Sequence, residues 1–376
     1  DALIENPRIY FGENTTSYVF VDTNTEELDY QAQDEVSPRG IKYDGTGGVP
    51  IGSLLTRLAY AWQFGDVNIL ISTELTSESR LQYRRHIQER VATVAPFLTL
   101  DEDPYIVAAD GRLYWIQDAY TTSAHYPYSE PTGTAITGGA FNYIRNSVKV
   151  TIDAFNGTLD FYVWDPADPV VSTYREIFPD LFLDREQMPP SLAAHVRYPQ
   201  DLFGFQAAKY LRYHMLVPAD FYAQEDIWSL PREKLGQSAD LQPMDPYYVI
   251  MKIPGEDVVE FVLLLPYTRN EPNPIMAGWL AARSDGENYG EIVAFGFPKQ
   301  RHVKGPEQIE ADIDTDADIK EWFTLKCQVG AFCIRGNLLV IPMVSGDDFG
   351  LLYAEPIYLQ AEGVDFPELK KVILAT

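Results

Sequence analysis

Two arginines are the most pointed chemical feature of the chain. In SESRLQYRRHIQERVATVA the spacing predicts a helix from about Glu78 to Ala95, entered from Ser77 and ended by Pro96. Tyr83, Ile87, Val91 and Val94 then form one apolar stripe, and Arg80 and Arg84 fall inside it. A guanidinium on a core-facing stripe needs a partner, because burying it unpaired is costly. With 55 Asp and Glu in the chain, internal carboxylates are the ordinary partners. The sharper expectation is an anion site for a phosphate or carboxylate group, built from Arg80 and Arg84 with Arg145, Lys149, His195 and Arg197 from other elements.

Other side chains suggest weaker chemistry. Loop carboxylates can wrap Ca²⁺, a hard cation that takes roughly six to eight oxygens. Asp101 with Asp103, and Asp165 with Asp168 in DPADP, are the candidates. The run EADIDTDADIKE places carboxylates at alternate positions from Glu310, but on a helix that spacing scatters them over a solvated face, and Thr315 stands where a calcium loop turns on glycine. Cys327 and Cys333 lie in LKCQVGAFCIR, read as two strands turning near Val329 and Gly330; they form either a disulfide in an oxidising compartment or two unlinked thiols. The loop YDGTGGVP lacks the lysine and spacing of a phosphate-binding loop. There is no G-x-S-x-G elbow and no H-E-x-x-H helix, and the five histidines never fall at metal-ligand spacing, so no catalytic residue is assigned.

The elements that must position these groups alternate at first. SYVFVDT and NILIST read as strands, and GGVPIGSLLTRLAYAWQF between them as a helix with Pro50 in its first turn. Asp110-Gly111 and Asn156-Gly157 each sit between strand-like runs and predict hairpins. Residues 189–240 turn helical. Past Leu241 the pattern reverts to strands (YYVIMKI, VEFVLLL, EIVAFGF, NLLVIPM, LYAEPIYL), interrupted by one helix from Pro306. The fold class is α+β, antiparallel sheets with packed helices. The expected organisation is a helix-on-sheet region over 1–188, a helical segment over 189–240 and a mostly β region over 241–376, forming either two coupled subdomains or one compact ectodomain.

The formal charge of -26 repels nucleic-acid phosphates over most of the surface, which argues against nucleic acid as a partner. No apolar run approaches the ~20 residues that span a bilayer, and no signal-peptide pattern opens the chain, so Asp1 is expected to begin an excised piece or a mature chain.

Several phrases, in order along nearly the whole chain, carry a family resemblance: NPRIYFGE, APFLTLDEDPY, DGRLYWIQDAYTTS, YIRNSVKVTIDAFNG, HVRYPQDLF, GPEQIEADI and RGNLLVIP. Together they resemble uncharacterised protein family 0182 (UPF0182), bacterial and cyanobacterial multi-pass membrane proteins of unknown function. The chain departs from the family pattern at KCQVGAFCIRGNLL, which makes the cysteine pair a local feature. The resemblance implies a soluble extracytoplasmic domain whose own transmembrane segment lies outside this chain. It implies no catalytic residues. The leading expectation is therefore a domain that binds a lipid, glycan or envelope protein without catalysis, at the outer face of the cell membrane. The alternative is an envelope enzyme or transport accessory acting on an anionic lipid or glycan.

Overall fold

Asp110 and Gly111 both take left-handed φ, 49° and 76°, and close a two-residue hairpin between strands Tyr105–Ala109 and Arg112–Ser123. Asn156-Gly157 behaves differently: only Gly157 is left-handed. The Asp153 carboxylate accepts from the Phe155 and Asn156 amides, so strands Tyr143–Asp153 and Leu159–Val163 are joined by a longer loop. In this computed structural model the described residues are 4–28, 40–132, 140–238, 240–269, 272, 274–327, 330–345, 348–364 and 366–376.

These strands organise the first of two compact units, Asp1–His195. Arg112–Ser123 pairs with Tyr143–Asp153, which pairs with Leu159–Val163, all antiparallel, and a parallel edge strand Phe182–Asp184 completes that side. One face of this sheet packs Trp115, Val148, Val150, Ile152 and Phe161 on the helix Ile87–Val94 and on Phe11. A smaller three-stranded sheet (Val19–Val21, Arg80–Gln82, Val49–Pro50) carries the helix Leu54–Phe64 over Ile51, Ile69 and Leu81.

The predicted helix over Glu78–Ala95 is corrected. Ser79 donates its hydroxyl to the Asp22 carbonyl and Arg80–Gln82 forms the middle strand of the small sheet. Arg84 then takes φ 49°, and only Ile87–Val94 is helical, capped by the His86 ring. Pairing on both edges outweighs a helical pattern that runs through the segment. NILIST is corrected in the opposite sense: Asp66 accepts from the Asn68 amide and starts one helical turn, Asn68–Ile71, despite the β-branched composition.

The second unit, Val196–Thr376, packs the helices Gln200–Tyr213 and Pro306–Thr315 with a five-stranded and a four-stranded antiparallel sheet. Its centre is Val259–Arg269 paired with Met276–Arg283, a strand buried along its full length. MAGWLAAR shows no alternation because both faces are covered, so the sequence pattern misses it. The single helix expected from Pro306 is two, Pro306–Thr315 and Ala317–Lys326, broken where the Asp316 carboxylate caps the second. Among the described residues no helix is long and apolar enough to cross a membrane.

Candidate anion site

The left-handed Arg84 follows from its neighbours. Gly48, at φ 84°, lets the loop pass Leu81 so closely that a Cβ there would lie 2.7 Å from the Leu81 carbonyl oxygen. That approach delivers the Thr46, Gly47 and Gly48 carbonyls to Arg80, which donates to all three, at 2.6, 2.8 and 2.8 Å. The loop thus presents carbonyls to a cation; its Thr46 and Gly47 amides are taken by Asn156 Oδ1 and the Tyr43 hydroxyl. Arg80 is satisfied by backbone oxygen, and the chain turns outward at Arg84.

Beside that turn lies a cavity of about 280 Å³, lined by Arg84 and Arg90 with Phe11, Tyr83, Thr93 and Leu159 among others. Arg90 comes from the short helix, donates Nε to the Gly157 carbonyl at 2.6 Å and lies over the Phe11 ring at 4.7 Å. Its Nη1 reaches the Tyr83 and Arg84 carbonyls at 3.4 Å. Arg84 is exposed and leans on the Tyr83 ring; among the described residues its guanidinium has no hydrogen-bond or ion-pair partner. Among the described residues no carboxylate lines this cavity. Burial lowers the Arg90 pKa from its ordinary value and the Arg84 charge lowers it further, though an arginine stays protonated at neutral pH. Two guanidiniums share one hollow of mixed polar and apolar wall, with no carboxylate among its described lining residues.

The second unit has a larger cavity, about 510 Å³, whose wall includes Lys234, Asp314, Lys320, Phe323, Arg335 and the Cys327–Cys333 disulfide. Here two of the three cations among the described lining residues, Arg335 and Lys234, are matched by carboxylates. Arg335 donates to both oxygens of Glu355, to Glu310 at 2.6 Å and to Asp314 at 2.9 Å, while Lys234 also reaches Asp314. Burial, reinforced by the Glu355 charge, pushes the Glu310 carboxyl up to about 7. Burial also raises the carboxyl of Glu233 to about 7, although it accepts from the Leu338 amide at 2.6 Å. Glu310 corrects the solvated-face reading of its helix: it is 1% exposed, beside Ile309 and Ile313 on the inner side. The disulfide joins the end of a helix to the strand Ala331–Arg335, where the sequence suggested two strands.

The six expected anion ligands are dispersed. Arg145 pairs with Asp165 at 2.8 Å; Lys149 is buried against Asp118, its ammonium 5.3 Å from the Trp164 ring centre. His195 closes the first unit, and Arg197 stacks on Tyr248 at 4.3 Å in the second. Only Arg84 lines the small cavity. Arg90, which joins it there, was not among the expected ligands: on a helix drawn from Ser77 it borders the other edge of the stripe, about 120° from Arg84, so helical spacing does not bring the two together.

The four Ca²⁺ candidates do not converge either. Asp168 accepts from the Thr121, Ser147 and Tyr143 hydroxyls and from the Val170 and Val171 amides. Asp101 accepts from Tyr120 and the Asp103 amide, and Asp165 from Arg145 and the Ala167 amide. Among the described residues no group of three or more His, Cys, Asp or Glu could hold a metal ion.

Comparison with known proteins places these sites in a family context. The model of an uncharacterised protein family, UPF0182, matches residues 1–326. A UPF0182 protein of Trichodesmium erythraeum is 48% identical over 99% of this chain and 41% of its own length. One from Cupriavidus necator is 48% identical over 99% of this chain and 40% of its own, and one from Pelotomaculum thermopropionicum 47% over 100% and 40%. The chain thus spans about two fifths of the length of these relatives. No solved structure matches.

Proposed function

The chain belongs to the uncharacterised protein family UPF0182, and we propose that it serves there as a ligand-binding domain on the extracytoplasmic side of a membrane protein. Its ligand carries a small anionic group, such as the phosphate of a lipid or glycan, held by Arg84 and Arg90. The observation that carries this reading is the missing counter-charge: in a chain of net charge -26, the cavity lined by two arginines has no carboxylate among the described residues of its wall. An anion entering it would take up guanidinium donors in a partly desolvated hollow, where each charge-assisted bond is stronger than in water. The outer location is supported by the Cys327–Cys333 disulfide, since such bonds persist in oxidising compartments.

Calorimetric titration of the chain with inorganic phosphate at low ionic strength tests the site. Saturable binding is expected, weakened about tenfold or more in Arg84→Asn and in Arg90→Gln, a loss on the order of 1.4 kcal/mol or above. Equal affinity in both variants, or no binding by the parent chain, overturns the proposal.

A further inference from the structure

The helix Leu54–Phe64 is apolar on two sides. Its inner side rests on the small core through Ala61, Tyr60 and Phe64. Leu54, Leu55, Leu58 and Trp62 fall within an arc of about 100° on the outside, and the turn that follows adds Val67 and Ile71. These six side chains run from 54% exposed at Leu58 to 89% at Trp62. A helix that is apolar around so much of its circumference normally lies inside a structure or against another phase.

Charge distinguishes this face from the rest of the surface. From Gly45 to Thr73 the only charged side chains are Arg57 and Asp66, although the chain as a whole holds 55 acids and 29 bases. Both are occupied from within. Arg57 donates to the Ile51 and Leu75 carbonyls at 3.1 and 2.8 Å, and Asp66 accepts from the Tyr18 hydroxyl and the Asn68 amide. Elsewhere the dense carboxylates oppose approach to anionic lipid or any low-dielectric phase; along this segment the barrier is reduced to the single carboxylate of Asp66. The apolar side chains project from a helix and the turn after it and are more than half exposed, which suits a fluid partner that fills in around them. Trp62, the most exposed of them, is a residue type that settles at the boundary between headgroup and hydrocarbon.

We propose that the helix Leu54–Phe64 and the turn after it dock on the surface of a lipid bilayer, burying Leu54, Leu55, Leu58, Trp62, Val67 and Ile71 at its interface. The contact is hydrophobic and uses none of the arginine chemistry above. It is therefore tested with zwitterionic phosphatidylcholine vesicles, whose lipids carry no net charge for the arginines to select. In sedimentation with such vesicles the parent chain is expected to partition at least tenfold more strongly than Leu55→Glu/Leu58→Glu, with binding insensitive to salt. Parent and double variant should melt within a few degrees of each other, because Leu55 and Leu58 are both more than half exposed. Brominated lipid should quench fluorescence in the parent and not in Trp62→Ala. Equal sedimentation of parent and double variant overturns the proposal. So does an absence of vesicle binding accompanied by a dimer, in analytical ultracentrifugation, that the double variant abolishes; the face would then belong to a second copy. Absence of both vesicle binding and self-association overturns it as well, in favour of another protein segment.

Discussion

Each unit holds an arginine-lined cavity, and the two differ in what surrounds the cation. Arg335 meets three carboxylates, Glu310, Asp314 and Glu355, and draws together one helix and two strands of the second unit. Among the described residues Arg84 and Arg90 meet none. In a chain with almost twice as many acids as bases, arginines are held by carboxylates, as Arg335 is, or by backbone carbonyls, as Arg57 and Arg80 are. An arginine held by three carboxylates is a fastening; a pair of arginines with no acid among the described residues of its cavity wall is open to a charge from outside. The unmatched pair, smaller and less conspicuous, is therefore the better candidate for recognition.

The largest effect that would sharpen this contrast is on the fastened side. Arg335→Met strands the buried Glu310 and Glu355 carboxylates, and breaking a buried pair from one side costs about 3–5 kcal/mol. Hydrogen exchange across Ala331–Arg335 and Leu339–Ser345 should accelerate accordingly while the first unit stays protected. A loss under about 1 kcal/mol would show that the knot is not what fastens these strands.

Two buried carboxyls, Glu310 in that knot and Glu233 outside it, make the second unit sensitive to pH. Glu233 and Glu310 titrate near 7 when folded and near 4.5 when unfolded, so between those values the folded chain holds more protons than the unfolded one. Stability should then fall as pH rises from about 5 to 7, by up to about 3 kcal/mol per carboxyl, and level off above. Melting temperature measured across this range checks the sign, and Glu233→Gln should remove part of the slope. Next in size is the disulfide: replacing Cys327 and Cys333 with Ser releases a short loop and should cost about 2 kcal/mol in urea unfolding of the second unit.

How much of this was legible in the sequence depended on whether a local rule had a competitor. The Asp110-Gly111 hairpin was legible because both turn residues take the conformation the dipeptide favours. The α+β class was legible too, from strand runs broken by helices without regular alternation. The cysteine pair could be named but not its setting, since the Cys327 side begins as a helix end. The candidate site was half legible. Arg84 stood out as a cation among apolar residues, yet what sets its position is strand pairing by Arg80–Gln82 and the close pass of Gly48, both contacts distant in sequence. Once a strand and a left-handed residue replace the first two turns of a helix, helical spacing no longer says which arginines meet. Glu310 was hidden for a related reason: counting carboxylates at alternate positions ignored that Ile309 and Ile313 mark the face it borders.

The smallest expected effect falls on the open side and is the most telling. Arg84 occupies a left-handed backbone that costs a bulky residue about 1 kcal/mol, its guanidinium has no partner among the described residues, and its side chain is exposed. Arg84→Asn keeps a residue that tolerates this conformation and removes only the cation. Its stability should lie within about 0.5 kcal/mol of the parent, or slightly above it, by urea unfolding. A residue retained for folding would show a cost there. One retained for a ligand would show none while phosphate binding collapses, and Arg335→Met should give the reverse pattern: weakened folding with phosphate affinity at the first unit intact. If both arginines cost stability and neither costs binding, the two cavities are the same kind of object and the contrast between them fails.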